Sequence, residues 1–170
     1  MTIDGNGTIS GLSAGGLPAG SVIPATTQVG ALPSMVRLHT DNGTGSTNTA
    51  IRRYTTTVTN QGSDITYTDS ATLGASFTIN ANGVYAISMG FATGTTGAQF
   101  GTSLNSSQLS TSFASIAIAD QLCESTVGGV GYVSTAATCL YLASGSVVRA
   151  QGPAGGSASG NSMFTITRVA

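Results

Sequence analysis

From Met35 onward the apolar residues of this chain alternate over short runs that stop at Gly, Asn or Ser, and no stretch sustains a helical period. That pattern predicts strands throughout. Met35–His39 opens it, and Asp41, Asn42 and Gly43 predict a turn. Ile51–Val58 is rich in β-branched and aromatic residues, Gln61-Gly62-Ser63 breaks it, and Asp64–Tyr67 resumes. Ala75–Ile79 alternates, Asn80–Gly83 turns, and Gly83–Phe91 starts again. Further strands are expected over Gln99–Leu104, Phe113–Ala119, Tyr132–Val133, Ala137–Leu142, Val147–Gln151 and Met163–Val169. Many short strands with regular turn signals predict an all-β antiparallel sandwich or barrel.

Residues 1–33 are different. Glycine and proline recur there too often for either helix or strand, yet Ile9, Leu12, Leu17, Val22 and Ile23 are spaced along the segment. Such a chain cannot bury a core by itself. Spaced apolar residues on an extended arm suit docking against another surface, and the same composition equally suits a loose arm. The expected division is therefore an extended Gly-rich arm, 1–33, and a β-sandwich knob, 34–170. The glycines do not recur at every third position, which excludes a collagen stalk.

Charge narrows the function. Five arginines, no lysine and six carboxylates leave a formal net charge of −1. Nucleic-acid affinity grows with cation density, so a nucleic-acid partner is not expected. No basic n-region and apolar h-region open the chain, and no apolar run approaches the roughly 20 residues of a membrane span. No membrane partner is expected, and synthesis in a cytoplasm is. His39 is the sole imidazole, and its neighbours Asp41, Asn42 and Gly43 read as a turn rather than half a metal site. No Gly-x-Ser-x-Gly elbow precedes a helix, and no motif pairs two carboxylates. Catalytic residues, metal ligands and a cofactor are therefore not expected. Cys123 and Cys139 read as free thiols rather than a disulfide. Arg52 and Arg53 are adjacent on one strand and point to opposite faces, one solvated and one paired with a carboxylate such as Asp64 or Asp69.

Three segments carry a resemblance. Phe77–Ser88, with its turn at Asn80–Gly83 followed by Val84-Tyr85, is similar to a strand-turn-strand of C1q/TNF-like jelly rolls. Cys139–Val148 resembles that family's leucine strand and following turn, with Ser146 in place of the usual Asp, and Met163–Val169 resembles its closing strand. The resemblance implies a homotrimer with Phe77, Tyr85, Leu140, Leu142, Phe164 and Ile166 in the trimer core. Met35–Leu38, Gly45–Arg53, Gln61–Tyr67 and the leader repeats Gly7–Leu12 and Gly15–Gly20 resemble small bacteriophage and prophage virion proteins. This second resemblance implies a virion surface protein: a capsid decoration protein or head fibre bound to the major capsid or another virion protein through its N-terminal arm. The alternative is a tail-fibre or receptor-binding knob that recognises a host-surface glycan or protein. A physical argument also favours self-association: sheet edges without lysine aggregate unless something covers them.

Overall fold

In the computed structural model the described residues are 33–154 and 161–170, with the backbone of two short strands nearer the N-terminus. The chain divides into two units, Met1–Ala31 and Leu32–Ala170. Within the first, where the glycine and proline content predicted neither helix nor strand, β1 (Thr2–Ile3) pairs antiparallel with β2 (Ile9–Ser10), which corrects that expectation. Leu12, Leu17, Val22 and Ile23 lie outside the described residues, as does the side chain of Ile9.

The second unit is a sandwich of two five-stranded antiparallel sheets. Its strands are β3 (Met35–Thr44), β4 (Arg52–Gln61), β5 (Ile65–Thr68), β6 (Ser76–Ile79) and β7 (Gly83–Phe91). They continue with β8 (Gln99–Leu104), β9 (Gln121–Thr126), β10 (Ser134–Leu142), β11 (Val147–Gln151) and β12 (Met163–Arg168). The first sheet runs in the order β10-β7-β12-β3-β4 and the second β5-β6-β11-β8-β9. This is a jelly roll, as the sequence pattern and the family resemblance predicted.

The core forms where the two inward faces meet. Tyr85, Ile87, Met89 and Phe91 alternate inward along β7, and Val36, Leu38, Phe164 and Ile166 do so on β3 and β12. Phe77, Ile79, Phe100 and Val148 answer from the second sheet. Phe77 stacks on Phe164 across the sandwich at 4.1 Å between ring centroids, and Phe91 tilts against Phe100 at 5.2 Å. Each such ring contributes about 1.5–3 kcal/mol through burial.

Three local expectations are corrected. Asp41–Gly43 does not reverse the chain. Asp41 Oδ1 accepts the Gly43 N–H at 2.8 Å, and the kink is absorbed as an irregularity within β3, which continues to Thr44. Phe113–Ala119 is not a strand but contributes two 3-10 turns, Phe113–Ser115 and Ile118–Asp120, because Phe113 is drawn down onto the outer face of the second sheet. Tyr132–Val133 precedes β10 without pairing, while Gln121–Thr126, unremarked in the sequence, forms edge strand β9.

In a single chain the residues that the resemblance implies for the trimer core are already covered. Phe77, Tyr85, Leu142, Phe164 and Ile166 are at most 1% exposed in a single chain, and Leu140 packs half-buried against the same core. They fill the sandwich interior and have almost no surface to offer a partner. The reason is alternation: the residues that pack best inside the protomer face away from any neighbour.

Candidate functional site

The outer face of the first sheet is built from the residues between those core positions. The strand register places Cys139, Ala86, Thr167 and Met35 in one row. Ala137, Ser88, Thr165 and Arg37 form the next, and Thr135, Gly90, Met163 and His39 the third. Cross-strand partners share a face, so all three rows point away from the core. Small side chains on β10, β7 and β12 leave a shallow groove of about 250 Å³ lined by Ala86, Ser88, Ala137, Thr165 and Thr167. Tyr141, 62% exposed, and Met163, 40% exposed, flank it, and Val133 lies over Gly90 beside Met163. Arg37 supplies the one full charge in these rows, towards the β3 side. This shallow face of small residues, flanked by exposed Tyr141 and Met163, is the candidate interaction surface.

Three of the five arginines are spent elsewhere, on structure. Arg53 pairs with Asp69 at 2.8 Å on the surface, as one of the two expected partners. Arg168 reaches Asp64 at 3.2 Å and the Asn82 carbonyl at 2.9 Å, tying the last strand to the loop before β5. Arg52 is buried and donates through Nε, 2.8 Å, and Nη2 to Asp41 Oδ2. Its guanidinium lies 4.9 Å over the Phe91 ring. The sequence offered Asp41 only as a turn former, so this pair was missed. Burial pushes the Asp41 carboxyl up to about 6, against the pull of Arg52 and the Gly43 N–H. Tyr54 is buried nearby with its hydroxyl unpartnered.

His39 lies on the outer face with Nε2 buried and unpartnered. Among the described residues, no group of three or more His, Cys, Asp or Glu side chains could hold a metal ion. Cys123 and Cys139 are free thiols, Cys123 half-buried beside Thr102 Oγ1 at 3.1 Å and Cys139 exposed. Burial pushes the Cys123 thiol pKa up, which favours the unreactive protonated form. Of the tyrosines, Tyr85 donates to the Ala81 carbonyl at 2.7 Å, while Tyr132 and Tyr141 stand in solvent.

No protein-family model matches the sequence, and no curated protein matches it. Solved structures do match in fold. A crystal structure of murine APRIL at pH 8.0 aligns with a TM-score of 0.50 at 14% identity, covering 81% of this chain and 100% of that one. A second, at pH 8.5, gives 0.52 at 11% identity, with the same coverage. The Eiger TNF from S. frugiperda gives 0.50 at 12% identity, covering 82% of this chain and 94% of that one. The fold is a TNF-like jelly roll. At such identities the likeness concerns architecture alone, and the chemistry of this chain has to be argued from its own side chains.

Proposed function

We propose that the chain is a non-enzymatic structural protein of a bacteriophage particle, a capsid-bound decoration protein or head fibre. It works as a homotrimer at the virion surface, held by residues 1–33 to the major capsid or another virion protein. The observation that carries this reading is the outer face of the first sheet, whose β10, β7 and β12 residues are small and uncharged, with Arg37 the one full charge in its three rows. Such a face associates with its own kind without desolvating charges, and closed self-association also covers sheet edges that carry no lysine. The jelly-roll fold and the virion-like wording of Met35–Leu38, Gly45–Arg53 and Gln61–Tyr67 support the same role. Thr and Ser on the strand surfaces, with backbone hydrogen bonds satisfied in the ladders, leave few extended segments for a protease.

The test is electron microscopy of intact particles labelled with an antibody against residues 34–170. Label distributed over the capsid is the expected result. Label confined to the tail, or absent from purified particles, overturns the capsid reading.

A further inference from the structure

On the outer face of the second sheet lies a surface pocket of about 210 Å³ with an unspent arginine in its wall. Arg149 on β11 is the cross-strand neighbour of Ser103 on β8, and the β6 register places Ser76 on its other side, with Thr68 next on β5. These side chains share one face. Arg149 is half-buried, and no carboxylate lines the pocket. Asp69, the acid nearest in sequence to the rim, is engaged by Arg53 through two hydrogen bonds. The Arg149 guanidinium thus has no hydrogen-bond or ionic partner among the described residues, and partial desolvation pulls its pKa down. A half-buried guanidinium without an anion is unusual, because desolvation of a charge is ordinarily offset by pairing.

The rim is built and rigid. Ser70 Oγ accepts the Thr72 and Leu73 N–H groups at 3.2 and 3.0 Å, which leaves its own O–H to donate. The Gly74 N–H donates to the Ser70 carbonyl at 2.9 Å, and Asn48 Nδ2 donates to the Leu73 carbonyl at 2.9 Å. Gly74 takes φ +78°, and a Cβ there would run into Ile51, so this loop conformation is reserved for glycine. Ser46 and Thr47 tie the loop down through the carbonyls of Ala71 and Thr72. Leu73, 55% exposed, and Leu109 supply apolar surface. Ser103 Oγ, beside Arg149, is buried without a hydrogen-bond partner. The neighbourhood therefore holds hydrogen-bonding capacity that the chain itself does not use.

The geometry points to a binding site for an acidic monosaccharide, a uronic acid whose carboxylate is taken by Arg149. The guanidinium fork can pair bidentately with either anion, but a single positive charge balances one carboxylate and leaves a phosphate dianion half-neutralised. Hydroxyls from Thr68, Ser70 and Ser76 suit the ring hydroxyls, and the leucines suit its C–H face. The volume equals about seven waters at roughly 30 Å³ each, room for a single ring. It lies below the roughly 300–1,000 Å³ of pockets for larger ligands. A preformed rim means that little ordering opposes binding. This inference does not depend on the assembly role.

The experiment is an NMR titration of the full chain at constant ionic strength with D-glucuronate, and separately with D-glucose, acetate and inorganic phosphate. Saturable shifts of the Ser70–Ser76 amides and of the Arg149 Nε–H are expected with glucuronate, in the millimolar range, at higher affinity than any of the other three. Arg149→Gln, at a half-exposed position, should keep the folded spectrum and weaken glucuronate at least about tenfold, the loss of one charge-assisted pair. Ser70→Ala should weaken it without altering charge. Acetate binding as tightly as glucuronate overturns the sugar, and phosphate binding more tightly overturns the carboxylate. Absent shifts, or undiminished binding by Arg149→Gln, overturn the site.

Discussion

Arg52 carries its charge into the interior, and its partner Asp41 is desolvated with it. The folded carboxyl titrates near 6 and the free one near 3.8. Between those values the folded chain holds a proton that the unfolded chain has released. The contribution of this group is therefore fully present below the unfolded value and is lost as pH rises through about 6. Urea unfolding should show stability falling between about pH 4 and pH 6 by on the order of 2–3 kcal/mol, then levelling off. A rise across that range would contradict the assignment. Arg52→Met keeps an aliphatic side chain at this buried position and removes the charge. It leaves Asp41 buried without its cation, so the carboxyl should titrate higher still. The variant should be less stable at neutral pH by about 3 kcal/mol, and its pH-dependent loss should extend further upward. A variant as stable as the parent chain would show that the pair is dispensable.

At the level of elements, β8 and β9 depend on one missing side chain. A Cβ on Gly101 would overlap the Cys123 carbonyl oxygen and come within 2.6 Å of Phe113 Cζ. Gly101→Ala should lower stability by about 2–3 kcal/mol. In hydrogen exchange it should release Gln121–Thr126 while Gly83–Phe91 stays protected. Equal protection of both strands would show that the edge tolerates the methyl. The same place marks where reading from sequence stopped. Gly83–Phe91, Gln99–Leu104 and Val147–Gln151 were legible to the residue, because each is a short run whose ends are marked by Gly, Asn or Ser. The edge strand Gln121–Thr126 was not, because with one neighbour and mostly half-exposed side chains it has little apolar pattern to show. Phe113 misled in the opposite direction. Its alternating surroundings look like a strand, but its burial depends on the space left by Gly101, a contact that local pattern does not encode. The small residues of the outer face, Ala86, Ser88, Ala137, Thr165 and Thr167, were not singled out in the sequence. Alternation alone does not say which side of a strand meets a partner, so the larger core residues were assigned to the trimer instead. Arg149 gave no local signal, because its pocket is assembled from strands and loops far apart in sequence.

For the molecule as a whole, the outer-face reading and the arm reading can be broken separately. Ala137 is exposed beside Ser88, so Ala137→Glu leaves the sandwich intact and places a charge in the groove. Light scattering should give a trimer for the parent chain and a monomer for this variant, and Cys139 in the same face should react faster with a thiol reagent in the variant. A parent chain that is monomeric at micromolar concentration would end the proposal of self-assembly. The arm is tested by deleting residues 1–33. Fixing such a segment costs roughly 1–2 kcal/mol per residue, which its spaced apolar residues Ile9, Leu12, Leu17, Val22 and Ile23 can offset against another surface. On the proposed trimer three arms would bind in concert, so weak docking by each would still give firm attachment through effective concentration. Residues 34–170 contain both sheets and the whole aromatic core, and should fold and trimerise without the arm. On particles stripped of the protein, the truncated trimer should fail to rebind under conditions where the full chain restores occupancy. The monomeric Ala137→Glu chain, with its arm intact, should rebind weakly and dissociate fast, because it loses only the concerted attachment. Rebinding by the truncated trimer at full strength would move the anchor into the knob, where the nearly uncharged outer face of the first sheet would then have to serve the particle instead of the trimer.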